Sequence, residues 1–563
     1  MADQTDQATL SKVEFIKENS DGLRGTIEEV LNSDASHFEE NDLQLLKFHG
    51  SYQQDDRDLR AERRKAKLDK AWIFMVRAKI PGGRVTAEQF LDMLDLGCKV
   101  GNGSIRITSR QGIQFHGVGK ENLRYTIRRI NQTALSTLGA CGDVNRNVMC
   151  CGLVDQDWRR SLGMEQLCLQ VADHFTPHAT GYWEIWCDGE RFGQKVEHTT
   201  HEPIYGARYM PRKFKIAVTV PEDNCVDVYT NDLGVEVVHH NGRVMAYDLI
   251  VGGGMGFAHG NEATYPRLGT RMVRVTPAEL LEALETVLKI QRDYGDRSDR
   301  KHARLKYVVE ERGAEWFRDE MRRRTGRNYP EAGPLPPYKV LDHLGWEQRF
   351  DGRWNVGIHI DDGRVRDRDG APLMTGLRRI VERFRPQVRM TPRQDVVLVG
   401  IDEKDRPEIQ RLLDEHGLET DAGLKRMRRL SMACVALPTC GLALAESERY
   451  MPSLLRQLDA LGVGDEPVEI RMTGCPNSCV RSPLAEIGVV GRGPGKYALY
   501  LGGNQEGTRL AFPFLERVDD TQLAQVIFRL IDAWRRETGR AASFGDWSTQ
   551  KGCQALEPIA ALD

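Results

Sequence analysis

Four cysteines in two close pairs are the strongest chemical signal in the sequence. Cys434 and Cys440 bound the segment CVALPTC, and Cys475 and Cys479 bound CPNSC. Structural zinc sites usually have two residues between paired cysteines, whereas here there are five and three. Iron–sulfur clusters accept varied spacings, because four thiolates need only converge on the cluster. The spacing favours a cluster over zinc, and chance pairing stays open. Haem attachment through C-x-x-C-H is not supported, because that motif is absent.

The other cysteines give a weaker signal. Most of the first seven lie in apolar surroundings, and we interpret them as buried free thiols. They are Cys98, Cys141, Cys150, Cys151, Cys168, Cys187 and Cys225. The first 22 residues carry no export signal, so a disulfide framework is not predicted. After Cys440, the segment GLALAESERYMPSLLRQLDALG has the pattern of an amphipathic helix, whose N-terminal dipole would face a cluster's negative charge.

Basic residues occur on several segments that are otherwise apolar. Arg77 lies in FMVRAKIPGG, and Arg146 lies in GDVNRNVMCC. In YMPRKFKIAVTV, Lys213 and Lys215 share one side of a predicted strand and Phe214 takes the other. Each could be a solvated strand edge. Together they predict an anionic ligand, because buried cations need anions.

No nucleotide-binding motif accompanies these residues. The phosphate loop G-x-x-x-x-G-K-[ST] is absent, and VGGGMG does not complete G-x-G-x-x-G. If the chain performs redox chemistry, its electrons come from another protein.

Two segments, each with the pattern of a helix followed by a strand, contain a similar six-residue sequence. TAEQFLDMLDLG predicts a helix before the strand SIRITSRQGIQFHGV, and LMTGLRRIVERF predicts a helix before QVRMTPRQDVVLVGI. RITSRQ and RMTPRQ agree at four of six positions, and AYDLIVGGGMG echoes KYALYLGGNQEG. We therefore predict an internal duplication, with NYPEAGPLPPYK as the linker between the halves.

The composition is that of an ordinary globular protein. The chain has 563 residues, 40% of them apolar and 29% charged, with a net charge of −3. This length predicts about three domains. The net charge gives no general attraction to nucleic acid or membrane, and no run is long enough to span a bilayer. We expect a cytoplasmic protein.

The chain resembles the sirohaem-containing sulfite and nitrite reductases, most closely the assimilatory sulfite-reducing members. The cysteine motifs carry the resemblance, together with KFHGSYQQDDRDLRAER, GSIRITSRQGIQFHG, DVNRNVMC, YMPRKFK, DLIVGGGMG, DRKHARLKY and SMACVALPTC. It covers residues 13–550. It implies one sirohaem and one 4Fe–4S cluster that share a cysteine thiolate.

The resemblance also implies roles for individual residues. The four paired cysteines would bind the cluster, and Cys479 would also reach the sirohaem iron. Arg77, Arg146, Lys213 and Lys215 would face the substrate. The residues implied as sirohaem contacts are Arg106, Arg110, Gln111, Gln114, His116, Asn477 and Cys479. His116 could instead be a satisfied core histidine, and DRKHARLK a solvated helix face.

The fold implied is α/β, with three domains around a pseudo-twofold axis. An N-terminal arm, residues 1–64, would wrap around them. Residues 65–139 and 335–424 would form one domain from two ferredoxin-like half-domains. Residues 140–334 would form the first sirohaem and substrate domain, and residues 425–563 the domain that carries the cluster cysteines.

The function implied is the six-electron reduction of sulfite to sulfide in assimilatory sulfur metabolism and cysteine biosynthesis. The alternatives are a ferredoxin-dependent nitrite reductase and a non-catalytic iron–sulfur or zinc protein. The electron donor would be an NADPH-dependent flavoprotein or a ferredoxin. Some family members carry a Tyr–Cys thioether, which Tyr52 and Cys141 could form; a free cysteine is the other interpretation.

Overall fold

The computed structural model describes residues 10–153, 162–178, 185–187, 190–192 and 202–562. Helices and strands are mixed along the chain, which confirms the predicted α/β class. Among the described residues, no helix is long and apolar enough to cross a membrane.

The helices and strands are numbered in chain order. The helices α1 to α15 are Lys12–Glu18, Ile27–Leu31, Glu40–Phe48, Arg60–Lys65, Ala87–Lys99, Leu123–Gln132, Met164–His174, Leu280–Tyr294, Leu305–Thr325, Leu373–Phe384, Arg406–Glu415, Arg426–Leu430, Met451–Ala460, Asp520–Thr538 and Phe544–Ala560. The strands β1 to β24 are Ser51–Asp55, Trp72–Ala78, Arg84–Val85, Ile105–Ile107, Ile113–Val118, Met149–Cys150, Ile185–Cys187, Glu190–Phe192, Ile216–Thr219, Leu233–His240, Arg243–Val251, Thr270–Val275, Gly345–Gln348, Trp354–Ile358, Arg364–Val365, Asp367–Arg368, Ala371–Pro372, Gln387–Met390, Val396–Ile401, Met432–Ala433, Ile470–Thr473, Ile487–Gly493, Lys496–Leu501 and Phe512–Asp519.

Two five-stranded sheets exchange a strand with each other. Their strand orders are β1-β2-β5-β4-β15 and β13-β14-β19-β18-β3. The late strand β15 pairs with β4, and the early strand β3 pairs with β18. Phe90 of α5 and Leu377 of α10 belong to one buried core with both sheets. The two half-domains are therefore interlocked, and the predicted duplication is confirmed.

The repeated RITSRQ and RMTPRQ segments each begin in a strand (β4 or β18) and continue into a turn before the next strand (β5 or β19), whereas the sequence pattern predicted one continuous strand. Gln111 and Gln394 have positive φ values of 58° and 74°, which reverse the chain in each half. The Gln111 side-chain amide donates to the Met390 carbonyl at 3.0 Å, and that of Gln394 donates to the Ile107 carbonyl at 3.3 Å. These reciprocal hydrogen bonds join equivalent points of the two halves.

Replacing Gln111 with alanine is expected to lower the unfolding temperature. Its Nε2 donates to the carbonyls of Gly82, Cys150 and Met390, and its Oε1 accepts from the Cys150 amide. Removing these buried hydrogen bonds costs about 2–4 kcal/mol. Scanning calorimetry of Gln111→Ala, with the exposed Gln132→Ala as control, checks this. A variant that loses sirohaem at an unchanged unfolding temperature would instead give Gln111 the cofactor role implied by the resemblance.

A second pair of five-stranded sheets repeats one topology. Their orders are β6-β9-β10-β11-β12 and β20-β21-β22-β23-β24. In each, the first three strands are parallel and the last two are antiparallel to their neighbours. AYDLIVGGGMG and KYALYLGGNQEG occupy equivalent places, because they contain β11 and β23 with the glycine turns that follow.

The helix predicted directly after Cys440 is wrong in its first half. Residues 441–450 form turns, and α13 begins only at Met451. Pro452 lies in its first turn, where its missing N–H costs nothing. The segment 1–64 contributes α1 to α4 and the edge strand β1, and the linker NYPEAGPLPPYK has no helix or strand.

Candidate active site

The paired cysteines lie on two loops at one edge of a sheet. Cys434 directly follows β20, and Cys475 and Cys479 lie in the loop after β21. β20 and β21 are parallel neighbours, so the chain leaves both strands at the same edge. The sheet therefore brings together segments that are about forty residues apart in sequence.

The four thiols are close enough to perturb one another. Burial raises the pKa of Cys434, and the nearby Cys479, Cys440 and Cys475 raise it further. Burial, Cys479 and Cys440 raise the pKa of Cys475 to about 12. Thiolates that repel one another in a buried place need a cation to stay ionised. The set therefore fits a metal centre that binds thiolates.

Hydrogen-bond donors surround the sulfur atoms. The Gly474 amide donates to the Cys434 Sγ at 3.3 Å, and the Asn477 Nδ2 lies 3.6 Å from the Cys475 Sγ. Such donors stabilise the negative charge of a cluster–thiolate unit. Cys479 is exposed, whereas Cys434 and Cys475 are buried. Cys479 is therefore the paired cysteine most open to a second ligand.

A group of basic side chains, which we call the cation cluster, is buried or half-buried beside these loops. Its members share electrostatic contacts with one another. They are Arg77, Arg110, Arg146, Arg212, Lys213, Lys215, Arg304 and Lys306. Within the described part of the chain, the ammonium groups of Lys213 and Lys215 have no hydrogen-bond or carboxylate partner within bonding distance.

Burial and mutual repulsion lower the pKa values of several members of this cluster. Burial, with Arg212, Arg304 and Arg146, lowers the pKa of Lys213 to about 7. Burial and Lys213 hold the pKa of Lys215 well below its usual range. Burial lowers the pKa of Arg110 to about 9. Because the charged forms of these side chains are destabilised in the protein alone, the site favours binding of anions.

The cation cluster adjoins the cysteine loops. Cys141, Tyr52 and then Cys479 raise the pKa of Arg77 against the effect of burial, and Cys479 also partly opposes the lowering of the Lys213 pKa. Arg77 belongs to β2, Lys213 lies three residues before β9, and the cysteine loops follow β20 and β21, so three different sheets supply the site. An anion held by these cations would lie next to the most exposed of the four thiols.

Comparison with known proteins identifies the chain's relatives. A model of the nitrite and sulphite reductase 4Fe–4S domain matches residues 170–329, and one of the family's ferredoxin-like half domain matches residues 67–132 and 347–416. A sulfite reductase (NADPH) hemoprotein beta-component of Myxococcus xanthus is 44% identical over 96% of this chain and 97% of its own length. The chain belongs to the nitrite and sulphite reductase family. The Lysinibacillus sphaericus protein of the same name is 41% identical, with 96% and 95% coverage.

A solved structure agrees with the family's fold. The NirA protein of Mycobacterium tuberculosis superposes with a TM-score of 0.78, at 24% identity, over 97% of this chain and 98% of NirA. The 4Fe–4S family model matches the first copy of the repeated sheet, whereas the cysteine pairs lie in the second.

The described residues also fit a reductase's sirohaem, a polycarboxylate. Four side chains near the cation cluster have buried polar atoms with no hydrogen-bond partner in the described part of the chain. These atoms are Arg77 Nε, Arg110 Nε, Gln114 Oε1 and both ring nitrogens of His116. Buried polar groups are normally paired, so the nitrogen atoms of Arg77, Arg110 and His116 suit a ligand rich in oxygen atoms, whereas the Gln114 Oε1 needs a hydrogen-bond donor. Burial and nearby arginines hold the pKa of His116 well below its usual range, which keeps the ring neutral.

Other residues predicted as sirohaem contacts are engaged with the protein itself. Arg106 donates to the Glu448 carboxylate and the Ala433 carbonyl, both at 2.9 Å. The amide of Gln111 holds backbone groups, and Asn477 faces Cys475. Arg110 donates to backbone and side-chain oxygens through both terminal nitrogens, which leaves its Nε–H and one N–H of Nη1 for a ligand.

Three members of the cation cluster were not predicted individually from the sequence. Arg212 directly precedes Lys213, and Arg304 and Lys306 lie in DRKHARLK, which was considered only as a segment. Arg304 forms a bidentate ion pair with Asp232 at 2.8 and 2.9 Å, and Lys306 donates to the Gly256 carbonyl at 2.7 Å. The basic residues Arg304 and Lys306, two positions apart in this segment, were the only sequence feature that could have indicated them.

Tyr52 and Cys141 are neighbours at this site. Arg77 donates to the Cys141 Sγ at 3.0 Å, and burial and Cys141 raise the pKa of Tyr52. A thioether between them stays a hypothesis. It would make the denatured chain two hydrogens lighter than its sequence, and this difference would persist after treatment with a thiol reductant. An unshifted mass would leave Cys141 a free thiol.

Proposed function

We propose that this chain reduces sulfite to sulfide with a sirohaem and a 4Fe–4S cluster. The reaction adds six electrons and six protons to bisulfite and yields hydrosulfide and three waters. The observation that carries the proposal is the proximity of the cation cluster to Cys479. The names of the relatives support sulfite as the substrate.

The substrate anion is bound by Arg77, Arg146, Lys213 and Lys215. Their positive charges replace the anion's hydration, and their N–H groups polarise the S–O bonds that must break. Arg146 is positioned by its own backbone contacts, since its Nε donates to the Gly142 carbonyl at 2.8 Å. Its Nη1 also lies 3.4 Å from the Ala140 carbonyl, and the other N–H groups are then available to the anion.

Lys213 and Lys215 deliver protons to the leaving oxygens. An ammonium group whose pKa is lowered to about 7 gives up its proton far more readily than an exposed lysine. Bound anions raise that pKa again, so each lysine takes up a proton when substrate binds and releases it as oxygen leaves.

The paired cysteines hold the cluster, and Cys479 extends toward the sirohaem. When bound, the two groups would supply the single electrons that the reduction needs. Arg110 and His116 would hold sirohaem carboxylates by donating from their unpaired nitrogen atoms, and Gln114 would do so through its amide N–H group, because its Oε1 can only accept.

The electrons come from an NADPH-oxidising flavoprotein. This choice rests on the NADPH and beta-component designations of the relatives and on the missing nucleotide motif. A ferredoxin is the alternative donor. NADPH oxidation by the chain is expected only with a flavoprotein present, whereas ferredoxin-supported turnover in its absence would favour the alternative.

The absorption spectrum of the purified protein tests the function. We expect sirohaem bands that shift on addition of sulfite, about four non-haem irons per chain, and sulfide formation from reduced methyl viologen. A dye donor makes this test independent of the partner. Cluster absorption without sirohaem, in protein made where sirohaem is available, would overturn the proposal. A higher kcat/KM for nitrite than for sulfite would assign the chain to nitrite reduction.

A further inference from the structure

Four ligand atoms converge at a second place in the molecule, away from the paired cysteines. The atoms lie within 4.8 Å of one another, and we call this group the linker site. It consists of Cys151, Asp223, Cys225 and His343.

The linker site joins the first repeated sheet to the segment between the halves. Cys151 follows β6, Asp223 and Cys225 follow β9, and His343 precedes β13. The two thiols and the aspartate are buried, and the His343 side chain is 7% exposed. His343 adopts a positive φ of 59°, an uncommon conformation that the surrounding structure must impose.

A single nitrogen of His343 faces both Cys151 and Asp223. His343 Nε2 lies 3.2 Å from the Cys151 Sγ and 2.8 Å from the Asp223 Oδ2. One ring nitrogen carries at most one proton, so it cannot donate a full hydrogen bond to both. A catalytic Cys–His–Asp relay would use both ring nitrogens, with the carboxylate on Nδ1. Atoms that converge on one point through the same nitrogen are instead typical of metal ligands.

The internal duplication gives an independent argument. Cys151 lies one residue after β6, as Cys434 lies one residue after the equivalent strand β20. Cys225 lies six residues after the end of β9, as Cys479 lies six residues after the end of β21. The linker site therefore uses the same two loops of the first copy that carry the paired cysteines in the second.

We propose that the linker site binds one zinc ion. Two thiolates, one imidazole and one carboxylate make a four-coordinate set of the kind that zinc prefers. Binding releases the thiol protons, and the four protein ligands leave no open position, so the ion is structural. It ties the segment between the halves to the first repeated sheet.

Zinc analysis of the complete protein tests this proposal. Protein made with zinc in the medium is expected to contain about one zinc per chain. Zinc K-edge absorption should show sulfur ligands near 2.3 Å and nitrogen or oxygen ligands near 2.0–2.1 Å. Cys225→Ala and His343→Asn should each lose most of the zinc and keep their non-haem iron. These readouts do not depend on activity.

Two control variants separate the linker site from other effects. Cys168→Ser removes another buried thiol near the same core and should keep its zinc. Cys475→Ser should lose iron and keep zinc, which excludes zinc held by the paired cysteines. If Cys225→Ala fails to fold, the zinc content and zinc K-edge absorption of the unmodified protein still test the proposal. Protein without zinc, zinc without sulfur ligands, or a reducible Cys151–Cys225 disulfide would overturn the proposal.

Discussion

Replacing Cys479 with serine is expected to abolish sulfite reduction. The Cys479 thiol is the most exposed of the four paired cysteines, and it alone among them perturbs both Arg77 and Lys213. Removing it breaks the contact between the electron source and the anion site. We expect turnover with reduced viologen to fall on the order of 10³-fold or more, the size of effect seen when an essential catalytic group is removed.

The measurement combines turnover with non-haem iron and the visible spectrum. Serine is a poorer ligand for iron than a thiolate, so iron should fall below about four per chain. Cys553→Ser removes a half-buried thiol of α15 and should change neither quantity. A Cys479→Ser protein with full iron and full turnover would remove Cys479 from both proposed roles.

Replacing Lys213 with methionine is expected to lower kcat/KM for sulfite about 10²–10³-fold. Methionine keeps much of the side-chain volume but removes a charge that acts in a buried place, where one lost donor has an effect of this size. Lys404→Met, at a side chain that is 78% exposed, is the matched control and should be unaffected. An unchanged kcat/KM for Lys213→Met would exclude the lysine from the reaction.

The pH profile separates proton delivery from simple attraction of the anion. Lys213 has a pKa lowered to about 7, so its charged form is lost as pH rises through that value. We expect kcat/KM to fall above about pH 7 and Lys213→Arg to move this fall to higher pH, because guanidinium stays charged. The protonation of sulfite is common to both proteins. Identical pH profiles of kcat/KM for the unmodified protein and Lys213→Arg would show that another group delivers the proton.

We expect the cation cluster to be more stable when its ligands are bound. Several of its members lower one another's pKa values, and Asp232 is the carboxylate that Arg304 binds. Isolated buried charges are costly, and anions that pair with them recover this cost. Sirohaem and sulfite would therefore stabilise the folded site as well as use it.

Local sequence patterns were enough for the family, the paired cysteines and the duplication. The spacing within each pair survives in the fold because each pair lies within one short loop. LMTGLRRIVERF coincides with α10, since its apolar positions follow the helical period. The same patterns failed at RITSRQ, where one residue at positive φ divides a predicted strand into two.

Side-chain partners were decided by the tertiary structure. Arg106 meets Glu448, 342 residues away in sequence, so its position in a strand could not show whether its charge was free for a cofactor. Cys151 and Cys225 were read as buried free thiols, and only the fold brings His343 to them. Sequence by itself determined which residues carry chemistry, because residue type and local spacing are written in the chain. The fold decided which of them meet, because burial and charge pairing join residues that are distant in sequence.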